Sequence, residues 1–400
     1  MKNSLIPVSC VICLTAQVLA QRPVRVPVIV VLDDNVPLQD FARLYSSGPQ
    51  ASADSDSFNY LDHGVVGAVR FLEQRAGFSA EHVYSHAVRG FAARLTAQQI
   101  LQLENDALVS YIEPDGIMRV HAQALPWGID RVGADVSSTM AGNGWGAVTN
   151  VNVYIIDTGV GLHPDLNRVA HVNFVPGSVN NDCNGHGTHV AGTLAARDNT
   201  AAVVGVVPGA PITGVKVLDC SGFGTTSRVI QGVDWVTANR RLPAVANMSL
   251  GGSPSKTLDD AIRRSVAAGV FYAVSAGNSG TDACTESPAR AGAGTNNGIL
   301  TVAATDTNNV DPPWSNFGNC VDIWAPGVNI LSTALGGGTM VLSGTSMASP
   351  HGAGVAALYR ASHTFANPAA VEMALKSVAL STGKVSNNGQ AIKIVYAGPY

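Results

Sequence analysis

The sequence predicts a doubly wound α/β unit on a mostly parallel sheet, preceded by a smaller α+β unit. Three observations carry this reading. From about residue 126, apolar strand-like runs alternate with helical segments. Those runs are nearly continuous in apolar residues rather than alternating, as in strands covered on both faces. The preceding hundred residues have a different texture, with two helical segments set among short strands. Bulk composition agrees, since 46% of the 400 residues are apolar, enough for a large core and for two domains.

Along the chain, Met1-Lys2-Asn3 is a short positive start and Leu5 to Leu19 is largely apolar. Val18-Leu19-Ala20 then offers a small-residue cleavage pattern before Gln21, so residues 1–20 are expected to be a signal peptide and the protein to be secreted. The stretch is too short, and too interrupted by Pro7, Ser9 and Gln17, to span a membrane. No other run is long and apolar enough. Val26 to Leu32 is a strand, residues 45–59 a Ser-, Ala- and Asp-rich loop, and residues 64–76 a helix. Thr96 with Gln99 forms a capping box opening a helix through Leu103. Val109 to Ile112 is a further strand, stopped at Glu113-Pro114. In the larger unit the predicted strands are 151–156, 203–207, 212–218, 244–250, 270–275 and 299–304, and the helices 225–239, 257–268 and 346–360. An active site in such a sheet belongs at the carboxyl ends of the strands.

Charge narrows the partners. Only 13% of residues are charged, the formal net charge is −4, and no Lys/Arg run occurs, so neither nucleic acid nor an anionic membrane is expected. A monomer is the default. Cys10 and Cys13 would leave with the signal peptide. Cys183, Cys220, Cys284 and Cys320 remain, an even set that in an exported chain reads as two disulfides with three possible pairings. No CxxC pair occurs among these four, which argues against a zinc cage.

Three segments carry the chemistry. In VNVYIIDTGV, Asp157 stands at the carboxyl edge of a buried strand, where an aspartate also serves as a turn or cap. In NGHGTHVAGT, His186 and His189 lie on the first turns of a helix flanked by Gly185 and Gly187. Two such histidines suit metal ligation as well, but the helix supplies no acidic third ligand. In SGTSMASPHGAG, Ser346 opens an apolar helix, where free backbone N–H groups and the positive dipole end can hold an oxyanion. A serine needs a base to take its proton, histidine is that base, and a buried aspartate fixes its tautomer. Ala348 stands where a nucleophile elbow needs its last glycine, which argues against an α/β-hydrolase.

DTG, HGTHVAG and GTSMASPH, in the order Asp, His, Ser, closely resemble the subtilisin-like serine proteases, in particular the proteinase K branch and its aqualysin-type relatives. The resemblance runs from Pro126-Trp127-Gly128 to near the C-terminus. The front unit, through Tyr111-Ile112-Glu113-Pro114-Asp115, resembles that family's inhibitor I9-like propeptide, implying a ferredoxin-like fold. The implied product is a secreted serine endopeptidase acting on proteins and peptides. It would be made as a zymogen with its own propeptide as intramolecular inhibitor. The implied domains are the signal peptide over 1–20, the propeptide over 21–120 with a cut at 118–123, and the catalytic domain over 121–400.

Carried over residue by residue, the resemblance assigns Asp157, His186 and Ser346 as the triad and leaves His189 structural. It adds Asn278, in VSAGN, as an oxyanion donor beside the Ser346 N–H. Ser249-Leu250-Gly251-Gly252 and Ser275-Ala276-Gly277 become the walls of the pocket for the residue before the cut bond. Neither wall carries Asp or Glu, so apolar or aromatic side chains are expected there. Gly222-Phe223-Gly224 becomes a strand that pairs with extended substrate, with Phe223 bulky enough to narrow a subsite. Asn247-Met248-Ser249 matches a glycosylation sequon but lies on the pocket strand. Structural Ca²⁺ is implied at Asp322, with carbonyls near Asn297 and Ile299 completing the site. Asp130 is a weaker site, because Gly133 and Ala134 follow where some relatives carry acids or amides. The implied disulfides are Cys183–Cys220 and Cys284–Cys320, each worth roughly 3–4 kcal/mol in chain-entropy terms.

Overall fold

The computed structural model describes residues 24–41, 60–116 and 123–400. The expected signal peptide over 1–20, the loop over 45–59 and, but for Gln123, the junction over 118–123 lie outside the described residues. The chain divides into two compact units, residues 1–119 and 120–400. Among the described residues no helix is long and apolar enough to cross a membrane.

The first unit contains β1 (Val26–Leu32), α1 (Tyr60–Ala76), β2 (Ala80–Tyr84), β3 (Gly90–Leu95), α2 (Ala97–Glu104) and β4 (Val109–Pro114). The strands form one antiparallel sheet in the order β2-β3-β1-β4, which with this element order is the ferredoxin-like arrangement. Val28, Val30 and Leu32 point to one face of β1 and pack with Val65, Val69 and Leu72 of α1 and Leu103 of α2. The Thr96 hydroxyl accepts from the Gln99 N–H at 3.3 Å, and the Gln99 side chain accepts from the Thr96 N–H at 2.9 Å. The same Gln99 amide donates to the Gly77 carbonyl at 2.8 Å, so one residue caps α2 and ties down the end of α1. β4 continues through Glu113 and Pro114 instead of stopping before them, because it is an edge strand, where proline removes no ladder bond.

The second unit begins with α3 (Trp127–Arg131), β5 (Asn152–Asp157), β6 (Arg168–Asn173), α4 (His186–Ala195), β7 (Ile212–Lys216) and α5 (Thr226–Asn239). It continues through β8 (Ala244–Met248), α6 (Lys256–Ala267), β9 (Val270–Ser275), β10 (Ile299–Thr305) and β11 (Ile323–Pro326). After the hairpin β12 (Ile330–Thr333) and β13 (Thr339–Leu342) come α7 (Thr345–Ser362), α8 (Pro368–Val378), β14 (Leu380–Val385) and β15 (Ala391–Ile394). Nine strands make one sheet in the order β14-β15-β11-β10-β9-β8-β5-β7-β6, parallel throughout except for the edge strand β14.

Both faces are covered. Val153 and Ile155 of β5 pack with Val190 and Leu194 of α4 and Val355 and Ala356 of α7. Their neighbours Tyr154 and Ile156 pack on the opposite face with Val229 and Val233 of α5 and Ile262 of α6. That double burial is why the strands read as unbroken apolar runs. β7 lies on one side of β5 and β8 on the other, so the connections diverge at β5 and leave a crevice at the carboxyl ends.

The run 203–207 is not a strand. Its valines are fully buried, but the N–H groups of Gly205, Val206 and Val207 donate to the carbonyls of Ala196, Thr193 and Leu194. The segment therefore lies over the carboxyl end of α4 and satisfies carbonyls that the helix leaves open. β6 is half exposed at the sheet edge and β11 has four residues, and neither shows a long apolar run. Disulfides join Cys183 to Cys220 and Cys284 to Cys320. The first ties the loop before α4 to the loop after β7, on either side of the crevice.

Candidate active site

Asp157 is the last residue of β5 and has no exposed surface. Its Oδ1 accepts the Thr158 N–H at 2.7 Å and faces His186 Nδ1 at 2.7 Å. His186 is the first residue of α4, and the approach of that helix to the β5 turn depends on the next residue. A Cβ at position 187 would stand 2.0 Å from the Gly159 carbonyl oxygen and 3.1 Å from Oδ1 of Asp157, so only glycine fits there.

Asp182, to which the sequence reading gave no role, organises the same corner. Its Oδ1 accepts the N–H groups of Asn184 and Gly185 and the Thr158 hydroxyl at 2.9–3.0 Å, and its Oδ2 accepts the Thr188 N–H at 3.0 Å. Gly185, at the helix N-cap, has no side chain to do this, and Asp182 satisfies the open N–H groups in its place. Burial pushes the Asp182 carboxyl up, but these hydrogen bonds outweigh it and hold the group below its ordinary range. Burial pushes the His186 imidazole down, while the Asp157 charge, the hydrogen bond to it and the charge of Asp182 leave it above its ordinary value. Lys216 ends β7 fully buried and donates to the carbonyls of Thr158 at 2.7 Å and Leu218 at 2.8 Å. The signal for both residues was a charged group inside an otherwise apolar or turn segment.

His189, one turn beyond His186, is fully buried against the Ile330 carbonyl at 2.9 Å. Burial pushes it down to about 4, so it is a neutral core histidine at ordinary pH.

Ser346 is the second residue of α7. Its hydroxyl donates to the Ser249 carbonyl at 3.1 Å, and among the described residues no hydrogen bond joins it to His186. The Ser249 hydroxyl donates in return to the Ser346 carbonyl at 2.7 Å. That acceptor is open because Pro350, four residues on, has no N–H to offer it. Gly344 precedes the helix with φ 156° and ψ 162°, a region essentially confined to glycine.

Asn278 projects from the turn after β9. Its Oδ1 accepts the Thr345 N–H at 2.8 Å and the Thr345 hydroxyl at 2.9 Å, and that hydroxyl accepts the Gly277 N–H at 3.1 Å. With the oxygen held, the amide nitrogen is left to donate elsewhere. Asn278 Nδ2 lies 3.5 Å and the Ser346 nitrogen 3.6 Å from the point where a Gly344 Cβ would sit, so both donors border one bare spot on the backbone. Thr345 sets this geometry, and only its place between Gly344 and Ser346 marked it in the sequence.

A cleft runs beside His186, lined on one side by Ser221–Gly224 and on the other by Ser249–Ser253. Phe223 stands out from the first wall, three-quarters exposed. Ala276 is fully buried behind the second wall and does not line the cleft. Asn247, the sequon residue, is buried and hydrogen-bonded to Ser249 and Ser349.

The expected calcium position is arranged otherwise. Asp322 Oδ1 receives the Lys376 ammonium at 2.8 Å and Oδ2 the Thr301 N–H at 2.9 Å. Lys376 also reaches Glu372 at 3.0 Å. The Asn297 amide is taken up by the Ile299 N–H and the Gly292 carbonyl, both at 2.9 Å. A lysine from α8 thus stands as the cation on Asp322, and this set does not fit a calcium ion. Among the described residues no group of three or more His, Cys, Asp or Glu is arranged to hold a metal.

Comparison with known proteins follows the same two-unit division. Residues 149–392 match the model of the subtilase family and residues 27–121 that of peptidase inhibitor I9. The alkaline serine exoprotease A of Vibrio alginolyticus is 40% identical over 397 residues, covering 95% of this chain and 71% of that protein. The extracellular serine proteinase of Thermus sp. (strain Rt41A) is 40% identical over 330 residues, covering 78% of this chain and 77% of that protein. The crystal structure of a cold adapted subtilisin-like serine proteinase superimposes with a TM-score of 0.60 at 41% identity, covering 68% of this chain and 98% of that one.

Proposed function

This chain belongs to the subtilase family, and on that premise we propose that Asp157, His186 and Ser346 are its catalytic triad, with Asn278 completing the oxyanion site. It is a serine endopeptidase carrying an inhibitor I9 propeptide domain ahead of its peptidase domain.

In the proposed reaction the Ser346 hydroxyl turns from the Ser249 carbonyl toward His186. Its oxygen bonds to the substrate carbonyl carbon as His186 Nε2 takes the proton. The oxyanion is held by the Ser346 N–H and the Asn278 amide. His186 then returns the proton to the leaving amine, the C–N bond breaks, and an acyl-enzyme remains. Water, deprotonated by the same imidazole, attacks the acyl carbon; the imidazolium gives that proton to the Ser346 oxygen as the ester C–O bond breaks, and the acid leaves. Asp157 keeps the proton on Nδ1 and stabilises the imidazolium. No metal takes part in these steps.

Substrate would lie extended between Gly222–Gly224 and Ser249–Gly251, paired through its backbone. That mode tolerates sequence and gives broad specificity, with apolar and aromatic side chains admitted between the glycine walls. The I9 unit would inhibit the peptidase in cis, aid the slow folding of a sheet rich in long-range contacts, and be cut away at 118–123 by the enzyme itself. Secretion behind a signal peptide over 1–20 is the matching destination, and one relative above is named extracellular. The working enzyme is proposed as a monomer acting on proteins and peptides, with no nucleic-acid or membrane partner.

The observation that carries this reading is the pairing of partly exposed His186 with buried Asp157 at 2.7 Å, together with the Asn278 amide and Ser346 N–H that border the bare backbone of Gly344. Casein hydrolysis should be abolished by a serine-directed phosphonylating inhibitor, with the label on Ser346. Absence of hydrolysis would favour a partner-binding relative, and action on esters alone an esterase. Asn278→Ala should lower kcat about 10²–10³-fold with little change in KM, because it removes a donor that engages fully only in the transition state. An equal loss in KM would assign Asn278 to substrate binding instead.

A further inference from the structure

The two walls named above carry no acid, but the fold brings one from a third segment. Ser287 pairs with Gly252 through two backbone hydrogen bonds, N–H to carbonyl at 3.0 Å and 2.9 Å. That pairing extends the Ser249–Gly252 wall and seats the preceding residue, Glu286, against it. One carboxylate oxygen of Glu286 is held, since Oε1 accepts the Ser279 hydroxyl and the Asn316 amide, each at 3.1 Å. The other oxygen, Oε2, accepts no hydrogen bond among the described residues, and no lysine or arginine among them pairs with the group. Its position is fixed by the glycines around it. A Cβ at Gly277 would lie 2.5 Å from Oε2, and a Cβ at Gly251 would lie 3.2 Å from the same atom. Oε2 therefore sits between Gly277 and Gly251, and Gly251 and Ser287, the residue after Glu286, line the cleft itself.

We infer that Glu286 forms the floor of the pocket for the residue preceding the cut bond, and that it makes this enzyme favour lysine or arginine there. The inference rests on the proposed binding of substrate along Ser249–Gly251. An aliphatic stem would run between the glycines, which offer no side chain to obstruct it, and its cationic head would meet Oε2. A neutral apolar side chain filling the same slot takes water from an ionised carboxylate and gives nothing in return. A lysine or arginine replaces that water with a charge-assisted hydrogen bond. This reverses the order of preference expected from the wall segments alone. That expectation followed from the absence of acids in two short segments, and the third lies beyond both.

The test is kcat/KM on peptides identical except at the position before the cut, carrying Lys, Arg, Met or Phe, with the mature enzyme and with Glu286→Gln. Lysine and methionine have stems of similar length, so their ratio isolates the charge. The mature enzyme should cut the Lys peptide at least about tenfold better than the Met peptide, and added salt should shrink the ratio. In Glu286→Gln the ratio should fall at least about tenfold, which a purely structural role in holding Ser279 and Asn316 would not produce. A parent enzyme that cuts Met or Phe better than Lys overturns the inference even if the variant does not fold. So does an unchanged ratio in the variant. Failure to cut any of the peptides would instead count against the proposed peptidase site.

Discussion

A chain carrying Ser346→Ala should hydrolyse peptides about 10⁶-fold more slowly than the parent and should remain a single uncut polypeptide. Among the described residues the hydroxyl donates to the Ser249 carbonyl alone, so its loss removes one hydrogen bond. The fold should survive, and residual turnover would come from the oxyanion donors and substrate binding alone. Steady-state kinetics on a peptide amide reads the first effect. Gel mobility with N-terminal sequencing reads the second. Cleavage at 118–123 in the variant would mean that another peptidase releases the I9 unit, and near-parental turnover would require a different nucleophile.

Asp157→Asn should lower kcat about 10⁴-fold at neutral pH, because the amide can present its NH₂ to Nδ1 and favour the wrong imidazole tautomer. It should also move the acid limb of the pH profile. In the parent, burial lowers the His186 imidazole, but the charges of Asp157 and Asp182 and the hydrogen bond carry it above its ordinary 6.5. The base must be neutral to work, so parental kcat/KM should fall as pH drops through a value above 6.5. Without the Asp157 charge, burial meets less opposition, and the limb should shift to lower pH. Measuring kcat/KM from about pH 5 to 9 checks both. An unmoved limb would show that Asp157 does not set the protonation of His186.

What was legible in the sequence follows from how locally each feature is specified. α5, α6, β8 and β9 carry periodic or unbroken apolar stretches and were found within a residue or two of their ends. The valines of 203–207 are as apolar as those strands and as buried, yet they close the end of a helix; apolarity reports burial, not conformation. Asp157, His186 and Ser346 show in the sequence through short glycine-bearing motifs, whose joint resemblance to a known family also chooses His186 over His189. Their supports do not. Asp182 meets Thr158 across 24 positions, Lys216 meets Thr158 across 58, and Thr345 meets Asn278 across 67. Lys376 lies 54 positions beyond the aspartate it satisfies, where resemblance alone had implied a metal. In each case the partner is chosen by the fold, and no short window contains both.

The placement of α7 has a consequence for the birth of the protein. This helix packs against β8, β9, β10, β11 and α4, and nearly every residue in it is buried. All five of those partners precede it in the chain. A ribosome therefore delivers most of the central sheet before it delivers this helix, and until residues 345–362 emerge α4 lacks the neighbour that shares that face with it. Early fragments must wait with apolar strands uncovered, prone to associate with one another. Ser346 rides on this late piece, so the nucleophile reaches its place in the same event that closes the core, and a half-made chain has no means of cutting anything.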